Sequence, residues 1–461
     1  MRRLALIAFC MAIPCPAQLS PQLQKSIDDV VLRTLAETGV PGASVAVAKD
    51  QSVYARAYGF AKLDPKTPAT AEMRFKIASN SKQIAGAAIL LLAEDRKLSL
   101  DDTVAKYLPA LTRAREITLR QLLSHTSGYQ DYYPLDYVAP YMAKDTTANQ
   151  ILDKWAKKNL DFDPGTKWQY SNTNYVIIGQ VIEKVTGKPL IDFLNKRIFQ
   201  PLGMRSVIDV TRETWSPAGP TGYTQHAISP FRAVVPEGNG WMYAAGELAM
   251  TAGDLAKWDA SLIERSVLKP ESLRELTTET LLKGGTGTRY GLGMQVATTP
   301  QGHRRWSHSG GAAGFLSRNT TYPDDGISIT VLTNGEGPAS ETIAQRLEEL
   351  LFSPAADPSA VEALEKARKF YSGLQNGELD RSLITSDLES YFTREVLADF
   401  TDSLKSLGVP ESFAATGHSE RGGMSTRGFA VKAGGKILSI ATFVTPEGKF
   451  DQFLISEKPK P

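Results

Sequence analysis

Ser79-Asn80-Ser81-Lys82 sets a hydroxyl and an amine three residues apart, a spacing that puts both on one face of a helix. Serine is a weak nucleophile and needs a base. A lysine in a poorly solvated place loses its proton more readily, because burial disfavours the charged form. The stretch Phe75–Ala93 (FKIASNSKQIAGAAILLLA) is nearly all small or apolar, so it predicts a buried helix with Ser79 at its N-terminus. There the helix dipole and free N–H groups favour developing negative charge. Taken alone, the pair also fits an N-cap serine beside a solvated lysine. A second Ser-x-x-Lys, Ser266 to Lys269, runs straight into Pro270, where no buried helix can continue.

Two further motifs follow in the chain. Tyr170-Ser171-Asn172 is its one Tyr-x-Asn, in a predicted loop before a helix starting near Asn174. A tyrosine hydroxyl beside a lysine can shuttle a proton, and an asparagine amide can orient both the lysine and a substrate amide. His308-Ser309-Gly310-Gly311 is its one His-x-Gly, at the end of a predicted strand. Two glycines permit close backbone approach to a bound peptide. Singly, these motifs also read as a turn with an ordinary N-cap and as a buried histidine in a hairpin. Gly-x-Ser-x-Gly and His-Glu-x-x-His are absent, and His303 and His308, two of five histidines, are expected on opposite faces of one strand. A His-ligated metal site is therefore not expected.

Ser-x-x-Lys, Tyr-x-Asn and His-x-Gly, in that order and widely spaced, resemble the motif set of the serine β-lactamase and penicillin-binding protein superfamily. The Tyr-x-Asn form is similar to that of class C β-lactamases, D-Ala-D-Ala carboxypeptidases, D-aminopeptidases and related esterases. Leu122–Gly128 (LLSHTSG), Gly246–Asp254 (GELAMTAGD) and Tyr290–Met294 (YGLGM) support it, over residues 25–350. The resemblance implies an α+β, β-lactamase-like fold and an acyl-enzyme at Ser79. Lys82 and Tyr170 move protons, and Asn172, His308, Ser309 and Gly310 bind substrate. The N–H groups of Ser79 and Gly311 form the oxyanion hole. It implies a peptide or small-molecule substrate and no metal or organic cofactor, and it makes His125 a structural loop residue. His308 stands where β-lactamases carry lysine. A histidine is cationic only in part near neutral pH, which weakens an antibiotic-resistance reading; the expected activity is cleavage of amide bonds in D-amino-acid-containing peptides or β-lactam-like substrates. A carboxyl ester hydrolase and a non-catalytic binding or sensor protein are the alternatives.

The elements that must position these residues are legible in outline. A helix over Ser26–Thr38 stops at Gly39, and strand-like runs Ala43–Ala48 and Val53–Tyr58 flank a hairpin. The middle is helix-rich, with helices at Val176–Val185 and Ala252–Leu262. Strands return at His303–His308, Gly314–Tyr322 and Ile327–Asn334, so the two ends of this region are expected to share one antiparallel sheet. The first pair of these strands should meet at a glycine-rich turn, the second at Pro323–Gly326. Loops near 129–145 and 210–240 should set specificity; Tyr129, Tyr132, Tyr133, Tyr137 and Trp241 fit either a cleft wall or the core. Residues 353–358 read as a linker to a small α+β domain, 359–461, with helices at Ala360–Gln375 and, more weakly, Leu383–Leu407, then three strands within 426–456.

Composition narrows the class. Of 461 residues, 42% are hydrophobic and 22% charged, which suits a globular chain with a large core. Met1-Arg2-Arg3, a ten-residue apolar run and Cys15-Pro16-Ala17 read as a signal peptide over 1–17, hence an exported protein, periplasmic or secreted. Both cysteines, Cys10 and Cys15, fall in that segment, so the mature chain would have none. Its 50 basic and 50 acidic residues balance, which argues against nucleic acid and anionic membranes as partners. No run is long enough to span a bilayer.

Overall fold

The computed structural model describes residues 19–457 apart from 50–51, 136, 214, 217, 228, 353–359 and 422. The expected signal peptide and linker lie outside the described residues. The chain divides into two compact units between Leu351 and Phe352.

The first unit opens with helix α1 (Pro21–Thr38), capped by the Ser20 side chain and closed by Gly39 in the left-handed conformation. Strands β1 (Gly42–Lys49) and β2 (Ser52–Leu63) follow, then the short β3 (Lys66–Pro68). Near the end of the unit come β4 (Gln295–Thr298), β5 (Arg304–Ala312), β6 (Phe315–Tyr322) and β7 (Ile327–Thr333). They form one seven-stranded antiparallel sheet in the order β3-β2-β1-β7-β6-β5-β4. β1 pairs with β7 from Ala43 opposite Thr333 to Lys49 opposite Ile327. The two ends of the unit therefore share a sheet, as the strand pattern predicts.

Helix α2 (Ser81–Glu94) is buried from Ser81 to Leu92, because its sequence presents an apolar or small side chain on nearly every face. It is shorter than the apolar run suggests. Phe75–Lys76 instead forms a two-residue strand against Leu248–Met250, and Ala78–Asn80 is a 3-10 turn leading into the helix. Helix α3 (Asn172–Thr186) starts two residues earlier than expected and ends at Gly187, and α4 (Ala252–Glu264) matches its predicted span closely. The core round these helices includes Ile89, Ile177, Phe199 and Trp258.

Two strand expectations need correction. His303 precedes β5 and hydrogen-bonds Asp325 at 3.0 Å, so it does not share a strand with His308. Gly310 and Gly311 lie inside β5; the turn to β6 is made at Ala313-Gly314, with Gly314 at φ +74°.

In the second unit, the helices α5 (Ala360–Asn376), α6 (Ser386–Tyr391) and α7 (Arg394–Lys405) precede four antiparallel strands. These are β8 (Ser412–Arg421), β9 (Met424–Ala433), β10 (Lys436–Val444) and β11 (Phe450–Glu457). β8 was not expected, because Phe413 and Thr416 stand alone among alanine, glycine and polar residues without a sustained strand pattern. The sequence reading also ran one weak helix across Leu383–Leu407, where Thr393 caps a new helix by accepting a hydrogen bond from Val396 N–H. Phe370, Phe429 and Phe453 lie in this unit's core.

Candidate active site

The turn carrying Ser79 is held from three sides. Ala78 sits at φ +47°, a left-handed conformation that costs a non-glycine residue about 1–2 kcal/mol. The Ser317 hydroxyl of β6 donates to Ile77 O at 2.7 Å and accepts from Asn80 Nδ2 at 2.8 Å. Ile77 N–H donates to Leu248 O at 3.0 Å. β5 then packs directly on the turn: a Cβ at Gly310 would lie 2.3 Å from Ile77 O and 3.0 Å from Ser79 N. Only glycine lets the strand come this close. Alternation along β5 buries His308 and Gly310 and exposes Ser309 and Gly311. β4 pairs with β5 no further than Ser307 opposite Gln295, so the edge from His308 onward has no strand partner on that side among the described residues.

Beneath Ser79 lies Lys82, with no solvent exposure. Its Nζ donates to Ser79 Oγ at 2.9 Å, Asn172 Oδ1 at 2.8 Å and the Ala245 carbonyl at 2.6 Å. Three acceptors match the three protons of an ammonium. Burial nevertheless lowers the Lys82 pKa to about 7, against the opposing pull of Asp131. Near neutral pH the amine therefore gives up its proton readily and can take one from Ser79. The Tyr170 hydroxyl hydrogen-bonds Ser79, and burial pushes this phenol above its usual range. Its neutral form suits a relay that gives one proton as it takes another. The Tyr170 ring centroid lies 5.0 Å from Lys82 Nζ.

Asp131 sets the Asn172 amide. It accepts from the Asn172 backbone N–H at 2.9 Å and from Nδ2 at 3.1 Å, which turns Oδ1 toward Lys82. His125, in the left-handed region at φ +58°, accepts from Ser171 N–H at 3.1 Å through Nδ1 and lies tilted against the Tyr170 ring, with centroids 4.3 Å apart. Burial holds its ring neutral.

His308 faces the cleft, but both ring nitrogens are engaged within the protein. Nδ1 lies 2.5 Å from the Ser309 carbonyl and Nε2 2.8 Å from the Tyr290 hydroxyl. Burial, with Lys82 nearby, lowers its pKa to about 3. It is thus a neutral imidazole, with Nδ1 the donor and Nε2 the acceptor for Tyr290.

The cleft itself is a cavity of about 650 Å³ reaching Ser79, Tyr170, Asn172, His308, Ser309 and Gly311. The seven residues named from sequence as catalytic or substrate-binding therefore converge, with Lys82 below the floor and Gly310 behind it. Of the five aromatics left open, Tyr132, Tyr133 and Tyr137 line the cavity. Tyr129 and Trp241 lie in the core alone, donating to the carbonyls of Thr112 and Lys144, while Tyr132 belongs to both core and wall. Sequence reasoning passed over Asp131, the Ala245 carbonyl, Tyr290, Glu237 and Glu336. The Glu237 side chain is buried and joins three segments round the cleft: it pairs with Lys76 at 3.2 Å, accepts from Ala313 N–H at 2.8 Å and accepts from the Tyr133 hydroxyl at 3.5 Å. No motif marks these positions, because each acts through folded proximity.

A buried lysine under an accessible serine, with a tyrosine hydroxyl on the same oxygen, marks a hydrolase that uses serine. Comparison with known proteins agrees. Residues 27–352 match the Beta-lactamase family, and the chain belongs to it. It is a serine hydrolase with the β-lactamase and penicillin-binding protein fold. Penicillin-binding protein 4* of Bacillus subtilis is 27% identical, over 79% of this chain and 85% of its own. A D-aminopeptidase of Brucella anthropi is 31% identical over 70% of this chain, and the match spans 62% of that relative's length. Among solved structures, a D-amino acid amidase from Ochrobactrum anthropi SV3 superposes with a TM-score of 0.63 at 25% identity, covering 72% of this chain and all of its own. An octameric penicillin-binding protein homologue from Pyrococcus abyssi gives 0.62 at 20% identity, covering 94% and 99%, a likeness of fold. No helix among the described residues is long and apolar enough to cross a membrane.

Proposed function

We propose that the protein hydrolyses amide bonds in D-amino-acid peptides or amides through an acyl-enzyme at Ser79. The observation that carries this reading is the fully buried Lys82 amine 2.9 Å from Ser79 Oγ, lowered to about pKa 7. Ser79 Oγ attacks the acyl carbon as its proton passes to Lys82 Nζ. The N–H groups of Ser79 and Gly311 hold the oxyanion, each such donor being worth about 3–4 kcal/mol. The C–N bond breaks as the leaving amine takes a proton through the Tyr170 hydroxyl. Water then attacks the Ser79 ester, releases the acid and restores the hydroxyl.

Two things support amides of this kind over β-lactams or peptides ending in a free carboxylate. The D-aminopeptidase and the D-amino acid amidase are amide hydrolases by their names. The neutral His308 leaves the cleft without the permanent cation that a substrate carboxylate would seek. We also read residues 1–17 as an export signal, which an N-terminus at Gln18 in protein purified from its host would verify.

Initial rates on paired D- and L-amino-acid p-nitroanilides and p-nitrophenyl esters test the assignment. The expected result is D-selective anilide cleavage that Ser79→Ala abolishes. Turnover of esters alone would replace it with the carboxyl ester hydrolase.

A further inference from the structure

The wall of the cleft holds a single charged side chain. Its described lining contains no lysine or arginine, and Glu336 is its one carboxylate. Glu336 lies just beyond the end of β7. Its Oε1 accepts from Gly314 N–H at 3.1 Å, the Thr224 hydroxyl donates to Oε2, and its own N–H donates to Tyr223 O at 2.9 Å. These neutral donors fix the carboxylate in place and leave its charge uncompensated. The contrast with Glu237 is informative: that carboxylate is buried and has Lys76 as its cation, whereas no ion pair to Glu336 is formed among the described residues. Lys82, the cation under the floor, directs its hydrogen bonds to Ser79, Asn172 and Ala245. A fixed carboxylate in a concave, partly desolvated wall, with spare lone pairs and no counter-cation, is complementary to an ammonium group.

We propose that Glu336 receives a primary ammonium group of the substrate, so that the preferred substrates carry a free amine rather than an acylated one. This subsite rests on the reading of the Ser79 cleft as the hydrolytic site, and it deepens that reading by naming the group recognised. It separates an enzyme that works at a free amino end from one that works inside an acylated chain or at a carboxylate end.

Equilibrium binding to the Ser79→Ala protein tests the subsite without turnover. Two ligands are titrated at pH 7, D-phenylalaninamide and its N-acetyl derivative, which differ in the ammonium group. The amine-bearing ligand is expected to bind about tenfold tighter or more, and the preference should vanish in Ser79→Ala/Glu336→Gln. Equal affinities, a preference for the acetylated ligand, a preference that survives Glu336→Gln, or no binding of either ligand would each overturn the proposal. Should the double variant fail to fold, the ligand pair on Ser79→Ala alone still decides whether the amine is preferred, and equal affinities there overturn the proposal. Turnover by the unsubstituted enzyme is a separate reading: amide cleavage without amine preference would remove the subsite and leave the hydrolase standing.

Discussion

The two units of the chain fill their interiors differently. The unit ending at Leu351 buries Lys82, His125, His308, Glu247 and Asp259 among its apolar side chains. From Phe352 onward the buried side chains among the described residues are apolar or aromatic, with Thr442 as the exception. Burying an ionisable group costs free energy unless its environment is built for it. The first unit bears that cost mainly round one cleft, where a lysine brought close to neutrality is useful. The second has an interior suited to stability alone. Substitutions in the first should therefore be read in rate, and those in the second in unfolding.

The largest expected effect is on rate. Ser79→Ala and Lys82→Ala should each lower kcat by at least about 1,000-fold, measured on whichever substrate the enzyme turns over fastest, with little change in melting temperature. Gly310→Ala comes next. Its methyl group would meet Ile77 O at 2.3 Å and the Ser317 hydroxyl at 2.4 Å, so β5 must move away from Ser79. A loss of about 100-fold in kcat is expected, since small displacements of oxyanion donors are costly. An active Gly310→Ala enzyme would break the claim that this contact sets the site.

Phe453→Ala probes the other side of the comparison. It should destabilise the second unit by about 3–5 kcal/mol in denaturant unfolding. The pH profile sharpens the first side. With Lys82 near 7 and acting in its neutral form, kcat/KM should fall about tenfold per pH unit below that value and level off above it.

The smallest effect concerns Asp259, buried under the sheet, which accepts from Asn319 Nδ2 at 2.6 Å. Burial raises its pKa to about 7 from the ordinary aspartate value of about 3.9. Between those values the folded state holds a proton that the unfolded chain has released, so stability should decline as pH rises through this window. Asp259→Asn should flatten that decline in urea titrations at pH 4 to 7. An unchanged slope would show that Asp259 ionises without penalty.

Much of this was readable in the chain because the chemistry is local. Ser79 and Lys82 are three apart, and the apolar run after them announces its own burial. The antiparallel sheet was legible from strands at both ends of the first unit. Less local features were not. Helix α2, expected to start at Ser79, starts at Ser81, because Ala78–Asn80 forms a 3-10 turn behind a short strand that Leu248–Met250 holds from far along the chain. Asp131 and Glu336 matter through the groups they face, Asn172 across 41 positions and Gly314 across 22. Tyr129 and Tyr132 carry the same side chain three residues apart and both are buried in the core, and only packing sets Tyr132 alone against the cleft.

The central claim is that Ser79 is the residue acylated. Its most direct test is intact mass and peptide mapping after brief incubation with a p-nitrophenyl ester of a D-amino acid, quenched in acid. One acyl group on the peptide containing Ser79, absent from Ser79→Ala, is the predicted result. An adduct at another residue, or turnover of the ester by Ser79→Ala at the unsubstituted rate, would contradict it.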